Sequence, residues 1–278
     1  MRLHTAPEEL FWYWVQERHQ MYRRRFEWNY PKPWTDDPIL RDHRFTNVFR
    51  ELDAGTVWMR KNLTEPNRDK PFREILLNCS WYRLFNLIAT GEFLGWQSDW
   101  NVEEISSKLQ ARKDGGTPIF THAHVVRGEN GLPKALSISQ VVEEIYCRSN
   151  SILKTVREER TLESMFRELK KVYLIGDFMA YEITTDLRHT PVLEDAVDIM
   201  TWANLGPGAV KGIRRLGYNT RDGAGAMREL LSHAPNHLPS DFPPLEMRDM
   251  EHSLCEFDKY CRVKFNEGAK LRPYKGRA

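Results

Sequence analysis

Cysteine is scarce in this chain of 278 residues: there are four, at Cys79, Cys147, Cys255 and Cys261, and no two form a C-x-x-C pair. That excludes a disulfide framework and leaves no sign of a zinc knuckle or thioredoxin-like site, so the thiols read as reduced side chains of a cytoplasmic protein. Cys255 and Cys261 also lack the two further cysteines of a four-thiolate iron–sulfur cluster. Long apolar runs are missing too. No stretch approaches the roughly eighteen residues that span a bilayer, and MRLHTAPEEL has acids where a signal peptide is basic and then apolar, so no membrane partner is expected. There is no G-x-x-x-x-G-K-[ST] string and hence no Walker-type nucleotide kinase. Internal repeats, low-complexity segments and strict alternation over more than four residues are absent or nearly so. Charge of one sign is lacking as well: 41 Lys+Arg stand against 39 Asp+Glu, a net of +2, which by itself indicates no polyanionic partner.

What is present is apolar residues at three- and four-residue spacing, with 41% hydrophobic residues and nine tryptophans, which predicts an all-α fold with a sizeable core. Helices are expected from just after Thr5 through EELFWYWVQERHQMYRRRFEW, and over 46–62, 71–90, 102–113, 139–159, 162–171, 177–187, 192–203 and 247–265. TPIFTHAHVV, between Gly115-Gly116 and Gly128, is the one strand-like piece, read as a minor hairpin or extended insert near 115–128. The expected organisation is a single helical domain over 1–278, with two lobes around a cleft dividing near 114–136, a helix-hairpin-helix over 192–216 and a basic tail over 263–278.

Four segments carry chemistry. In NLGPGAVKGIRRLGY, Gly206 and Gly208 would let backbone approach a phosphate at a helix start, with Lys211, Arg214 and Arg215 adding charge. An ordinary tight helix-helix turn explains the same string. In RDMEHSLCEFDKYCRVK, at about 100° per residue, Glu251, Cys255, Asp258 and Arg262 share one side, His252, Glu256, Lys259 and Val263 the next, and Leu254, Phe257 and Cys261 a buried stripe. Solvated i,i+4 salt bridges are the bland alternative. In PKPWTDDPILRDHRFTNVFRE, Thr35 or Asp36 accounts for a helix cap, while Asp37 and Arg50 remain unexplained and Arg44, Asn47 and Glu51 are spaced to share a helical face. In GDFMAYEITTDLRH, Phe178, Tyr181 and Ile183 pack beside Glu182, Thr185 and Asp186, and such rings either fill a core or stack an extruded base.

Taken in order, FWYWVQERHQMYRRR, PKPWTDDPILRDHRFTNVFRELD, IGDFMAYEITTDLRH, LGPGAVKGIRRL and MEHSLCEFDKY resemble the phage α-glutamyl/putrescinyl thymine pyrophosphorylases, or amino acid:DNA transferases, and the related helical domain of 5-hydroxymethyl-deoxyuridine DNA kinases, over about residues 11 to 262. Both groups are similar in fold to helix-hairpin-helix DNA glycosylases. Without a P-loop, the chain looks like the transferase branch. The resemblance implies replacement of the pyrophosphate of a 5-pyrophosphoryloxymethyl-deoxyuridine by an amino acid or polyamine amine, on double-stranded phage DNA in an infected bacterial cytoplasm, with a hydroxymethyl-deoxyuridine DNA kinase as functional partner. It implies no required cofactor, although Mg²⁺ suits a pyrophosphate.

On that resemblance, Trp34, Phe178 and Tyr181 are stacking candidates for an extruded base, and Arg44, Arg50 and Lys259 would meet the leaving pyrophosphate. Asp37, Asp186, Glu256 or Asp258 would hold the amine and take its proton, Glu256 or Asp258 being preferred as the base. Asp36, Asn47 and His252 complete the expected substrate site. Two rival functions stay open: a glycosylase, with Lys211 near the place of an attacking lysine although LGPGAVK departs from L-P-G-x-G, and a non-catalytic DNA-binding module. The charge distribution favours nucleic acid in each case. Residues 1–200 carry 28 basic and 30 acidic groups, whereas residues 201–278 carry 13 and 9.

Overall fold

The computed structural model describes residues 6–121 and 126–267. They form thirteen α-helices and no strand, so the all-α expectation holds. The described residues fall into two compact units: the first is built from residues 6–53 and 200–267, the second from the described residues between 54 and 199. The boundaries therefore fall after Asp53 and Ile199, not near 114–136. That earlier expectation followed the glycine-rich insert, but a break in helical pattern marks only a connection; the units are defined by which helices bury one another.

The first unit contains α1 (Pro7–Tyr22), α2 (Pro38–Asp42), α11 (Pro207–Arg215), α12 (Gly223–His237) and α13 (Met247–Lys264). Pro7 opens α1 at a position where its missing N–H costs nothing, followed by Glu8 and Glu9 at the positive end of the helix dipole. α13 begins with reciprocal bonds between Glu246 and Asp249 that close a capping box. Its buried residues cover far more of its surface than the Leu254, Phe257, Cys261 stripe alone, because α1, α2, α11 and α12 all pack on it. Phe11 meets Phe257 edge-on at 5.3 Å, and Tyr260, Met250 and Leu254 complete this core.

The second unit holds α3 (Ala54–Met59), α4 (Phe72–Phe85), α5 (Ile88–Leu94), α6 (Val102–Asp114), α7 (Lys134–Cys147), α8 (Ser149–Glu159), α9 (Leu162–Leu169) and α10 (Asp177–Leu187). Eleven of the fourteen α4 residues are buried, which makes it the central helix. The expected helix over 71–90 divides because Asn86 adopts a left-handed conformation (φ 49°) that ends α4. The expected helix over 139–159 likewise divides at Arg148, between α7 and α8. Only short helical pieces occur within 46–62, because residues 44–49 run without helical hydrogen bonds.

Two further expectations are corrected. Residues 191–201 form turns, not the helix expected over 192–203, so α11 has no regular helix before it and the helix-hairpin-helix over 192–216 is absent as such. The physical reason lies in Thr190 and Asp198: Thr190 bonds back to Leu187, and Asp198 accepts the backbone N–H groups of Leu162 and Glu163 at 2.7 and 3.0 Å, capping α9 instead of facing out from a helix. The described part of the 115–128 insert contains no strand. Residues 122–125 of that insert, and the tail from 268 onward, lie outside the described residues.

His19 on α1 is 3% exposed and packed among the rings of Tyr22, Phe49 and Phe242. Burial lowers its pKa to about 4, while the unfolded chain protonates it near 6.5. The folded value is the depressed one, so this contribution to stability is complete above pH 6.5 and is lost as pH falls toward 4. Denaturant unfolding at pH 7 and pH 4.5 should show a loss of up to about 3 kcal/mol that His19→Leu removes. An identical pH dependence in the variant would contradict this account.

Candidate active site

Asp37 anchors the site in the first unit. One carboxylate oxygen caps α2 by accepting from the backbone of Ile39 and Leu40 at 2.8 and 3.0 Å; the other accepts from the phenols of Tyr260 at 2.7 Å and Tyr13 at 3.2 Å. The cap is thus Asp37 itself, and neither Thr35 nor Asp36 supplies it; the Thr35 hydroxyl accepts the Asp37 N–H at 3.1 Å. Burial and the Asp37 charge raise the pKa of both phenols, which therefore remain protonated donors. With four donors, Asp37 holds two tyrosines and a helix start together.

Beside it opens a pocket of about 490 Å³ lined by Tyr13, Glu17, Arg24, Tyr30, Pro33, Trp34, Thr35, Asp36 and Asp37. Three predicted residues, Trp34, Asp36 and Asp37, meet here. Arg24 is tied to Glu17 and to the Trp34 carbonyl, each at 2.7 Å, while Asp36 is exposed. The lining joins aromatic faces to carboxylates, a combination that attracts an ammonium group.

N-terminal to Tyr260 on the same helix, α13 carries the half-buried His252, Glu256 and Lys259. The His252 ring nitrogen lies 2.5 Å from the Thr46 hydroxyl, and Glu256 accepts the Thr46 backbone N–H at 3.2 Å and Lys259 at 3.3 Å. Lys259 also donates to the Arg44 carbonyl and stands 4.8 Å over the Phe45 ring. An ammonium has three donor positions, so one remains for an incoming anion. The segment between Arg44 and Phe49 is therefore irregular because α13 supplies its hydrogen-bond partners.

Other predicted residues have different surroundings. Asp258 is 3% exposed, accepts a hydrogen bond from Arg215 at 2.6 Å that locks α11 to α13, and forms an ion pair with Arg262 at 3.3 Å. Asn47 is also buried: it accepts from Arg18 at 2.7 Å and donates to Leu52 and Asp53 at 2.9 Å, so it shares no helical face with Arg44 and Glu51. Arg50 pairs with Asp53 at 3.4 Å, and Glu51 meets the buried Arg248 at 3.1 Å. Phe178, Tyr181 and Asp186 lie on α10, in the second unit. Phe178 is 54% exposed, Tyr181 is buried, and Asp186 takes both nitrogens of a bidentate bond from buried Arg83.

At the glycine turn, the Gly206 N–H goes to Glu251 at 3.1 Å, and a side chain on Gly208 would meet the Cys255 sulfur at 2.2 Å. These glycines permit close packing on α13, whereas the phosphate reading requires them to face outward. Arg215 is held by Asp258 and by Glu267 at 2.7 Å, which leaves Lys211 and Arg214 exposed. Among the described residues no cluster of three or more His, Cys, Asp or Glu side chains is arranged to hold a metal ion, and no helix is long and apolar enough to cross a membrane.

Sequence reasoning missed Tyr13, Thr46, Tyr260 and Arg83. The first three have no local signal, since their partners lie 24 to 223 residues away. Arg83 had one: a lone cation in the apolar run EILLNCSWYRLF demands a buried acid.

Together these features define a protein whose described residues are helical, with an aromatic, acid-lined pocket at Asp37 and an acid-imidazole-ammonium row on α13, the helix that bonds Asp37 through Tyr260. A family model described as the helical domain of 5-hmdU DNA kinase matches residues 6–270, and the chain belongs to that family. It is also similar to the 5-hmdU DNA kinase of Bacillus phage SP10, with 29% identity over 243 residues that cover 77% of this chain and 37% of the relative. The chain thus spans just over a third of that relative's length. No solved structure matches it. Of the two groups that the sequence resembles, the kinase helical domain is the one these matches identify.

Proposed function

We propose that this chain substitutes an amine for the pyrophosphate of a 5-pyrophosphoryloxymethyl-deoxyuridine in phage DNA. The observation that carries this reading is the row of Glu256, Lys259 and His252 on α13, the helix whose Tyr260 donates to Asp37 in the wall of a pocket with ring faces and carboxylates that suit an ammonium co-substrate. An ammonium has no lone pair with which to attack. Glu256 removes its proton, the amine nitrogen bonds to the C5 methylene carbon, and the carbon–oxygen bond breaks with its electron pair leaving on pyrophosphate. Lys259 meets the charge that grows on that oxygen, with Arg44 nearby in the same segment. His252 and Thr46 position the backbone that Glu256 grips. Of the two preferred bases, Glu256 fits and Asp258 does not, because two arginines already hold Asp258. Lys211 and Arg214 on α11 supply exposed charge for the duplex backbone.

The test is the purified chain with pyrophosphorylated DNA and a panel of amino acids and polyamines, product nucleosides being resolved by mass spectrometry. Glu256→Gln should lower adduct formation by roughly 100-fold, and Asp258→Asn should act mainly through stability. Full turnover in Glu256→Gln would remove it as the base. Release of a free base would identify a glycosylase, and salt-sensitive DNA binding without turnover would identify a non-catalytic module.

A further inference from the structure

We propose that residues 23–34 form a docking surface for an unpaired DNA strand. This goes beyond amine transfer and needs no turnover to be tested. The segment RRRFEWNYPKPW holds four basic residues, one acid and four aromatics. Its first five residues form a π-helical extension of α1, Arg23–Glu27, in which no residue is buried. Phe26, Trp28 and Tyr30 are 59%, 41% and 56% exposed. Aromatic rings cluster on a surface when something is to cover them, and the charge here decides what.

Cations are interleaved with the rings. Arg23 stands 4.8 Å over Trp28, Arg25 is 4.6 Å from Phe26 and 4.7 Å from Trp34, and Lys32 is 5.3 Å from Trp34. Arg23 is also paired with Glu27 and Asp241, and Arg24 with Glu17, but Arg25 and Lys32 have no carboxylate partner among the described residues. Unneutralised cations set between exposed rings disfavour an apolar protein face. They match a polymer that alternates π-faces with phosphates. A paired duplex hides its base faces, so the matching ligand is a single strand. Tyr30 and Trp34 also line the pocket beside Asp37, so a strand lying on the patch passes the pocket mouth. The carboxylates of Glu17, Asp36 and Asp37 limit the path, because a phosphate would avoid that wall and leave it to a base or an amine.

Fluorescence anisotropy of the full chain with labelled oligo-dT of fifteen nucleotides tests the proposal. The triple variant Phe26→Ala, Trp28→Ala, Tyr30→Ala should bind at least about 20-fold more weakly, while Trp28→Phe, which keeps a ring, should bind within about threefold of the parent. Arg25→Ala with Lys32→Ala should flatten the log–log salt dependence by about 1.4. Parental affinity in the triple variant, its unfolding midpoint being intact, overturns the proposal. So does a changed sedimentation mass with unchanged affinity, which would assign the patch to protein docking. Tighter binding of oligo-U than of oligo-dT overturns the assignment to DNA.

Discussion

Arg83→Ala is expected to destabilise the second unit by about 3–5 kcal/mol, the usual cost of removing one partner of a buried ion pair. Arg83 is 4% exposed, bonds Asp186 through two nitrogens, lies 3.7 Å from Glu182 and reaches the Thr56 hydroxyl at 3.3 Å. Removing the guanidinium takes from two carboxylates, themselves 3% exposed, the cation that bonds Asp186 and lies beside Glu182. Arg83→Lys should recover only part of the loss, since a point charge cannot bond both oxygens in a plane. Arg83→Met combined with Glu182→Leu and Asp186→Leu should be far milder than Arg83→Ala, because both carboxylates leave together with the guanidinium. Urea unfolding followed by circular dichroism measures all three, and a loss below about 1 kcal/mol in Arg83→Ala would refute the argument. The same geometry implies that substitutions at Asp186 change any activity through folding.

Gly212→Ala should cost about 3 kcal/mol or more, at the upper end for an overpacked contact. α11 and α13 cross so closely that a methyl group on Gly212 would lie 2.3 Å from the carbonyl oxygen and 2.8 Å from the carbonyl carbon of Leu254. Backbone of a buried helix cannot yield without separating the helices, and Ile213 and Leu254, both fully buried, would lose their packing. Gly208 provides a contrast. Its added methyl group would meet a side-chain atom, the sulfur of Cys255, so Gly208→Ala should cost less, about 1–2 kcal/mol, and Cys255→Ala should restore most of it. Burial and the surrounding acids push the Cys255 thiol up to about 12, so it occupies this contact as a neutral group. Thermal unfolding of the two single variants and the double variant would decide. No rescue by Cys255→Ala would mean that the crossing is not limited by these atoms.

The helical class and most helix positions were legible because a helix closes its hydrogen bonds within four residues and buries one face at a fixed period. α10 was expected over 177–187 and is found at Asp177–Leu187, and α13 was expected over 247–265 and ends at Lys264. Failures occurred where a distant partner overrode the local pattern. Asp198 looked like part of a helix but caps α9, 36 residues earlier, and Asn47 looked like a site-lining residue but is held by Arg18, 29 residues earlier. The candidate site divides in the same way. Trp34, Asp36 and Asp37 do meet in one pocket, and Glu256 and Lys259 do share a face, whereas Asp258 is turned inward by Arg215.

The sequence alone determined that this protein is helical, that its net positive charge lies toward one end, and that a few short strings ally it to the helical domain of 5-hmdU DNA kinases. Tertiary structure decided which carboxylates are available and which are committed. Acidity, exposure and function of a carboxyl group depend on the donors within a few ångströms, and in this chain those donors come from helices up to 223 residues away. No local reading could have separated Glu256, which accepts from a lysine and the Thr46 backbone, from Asp258 two residues on, which two arginines enclose.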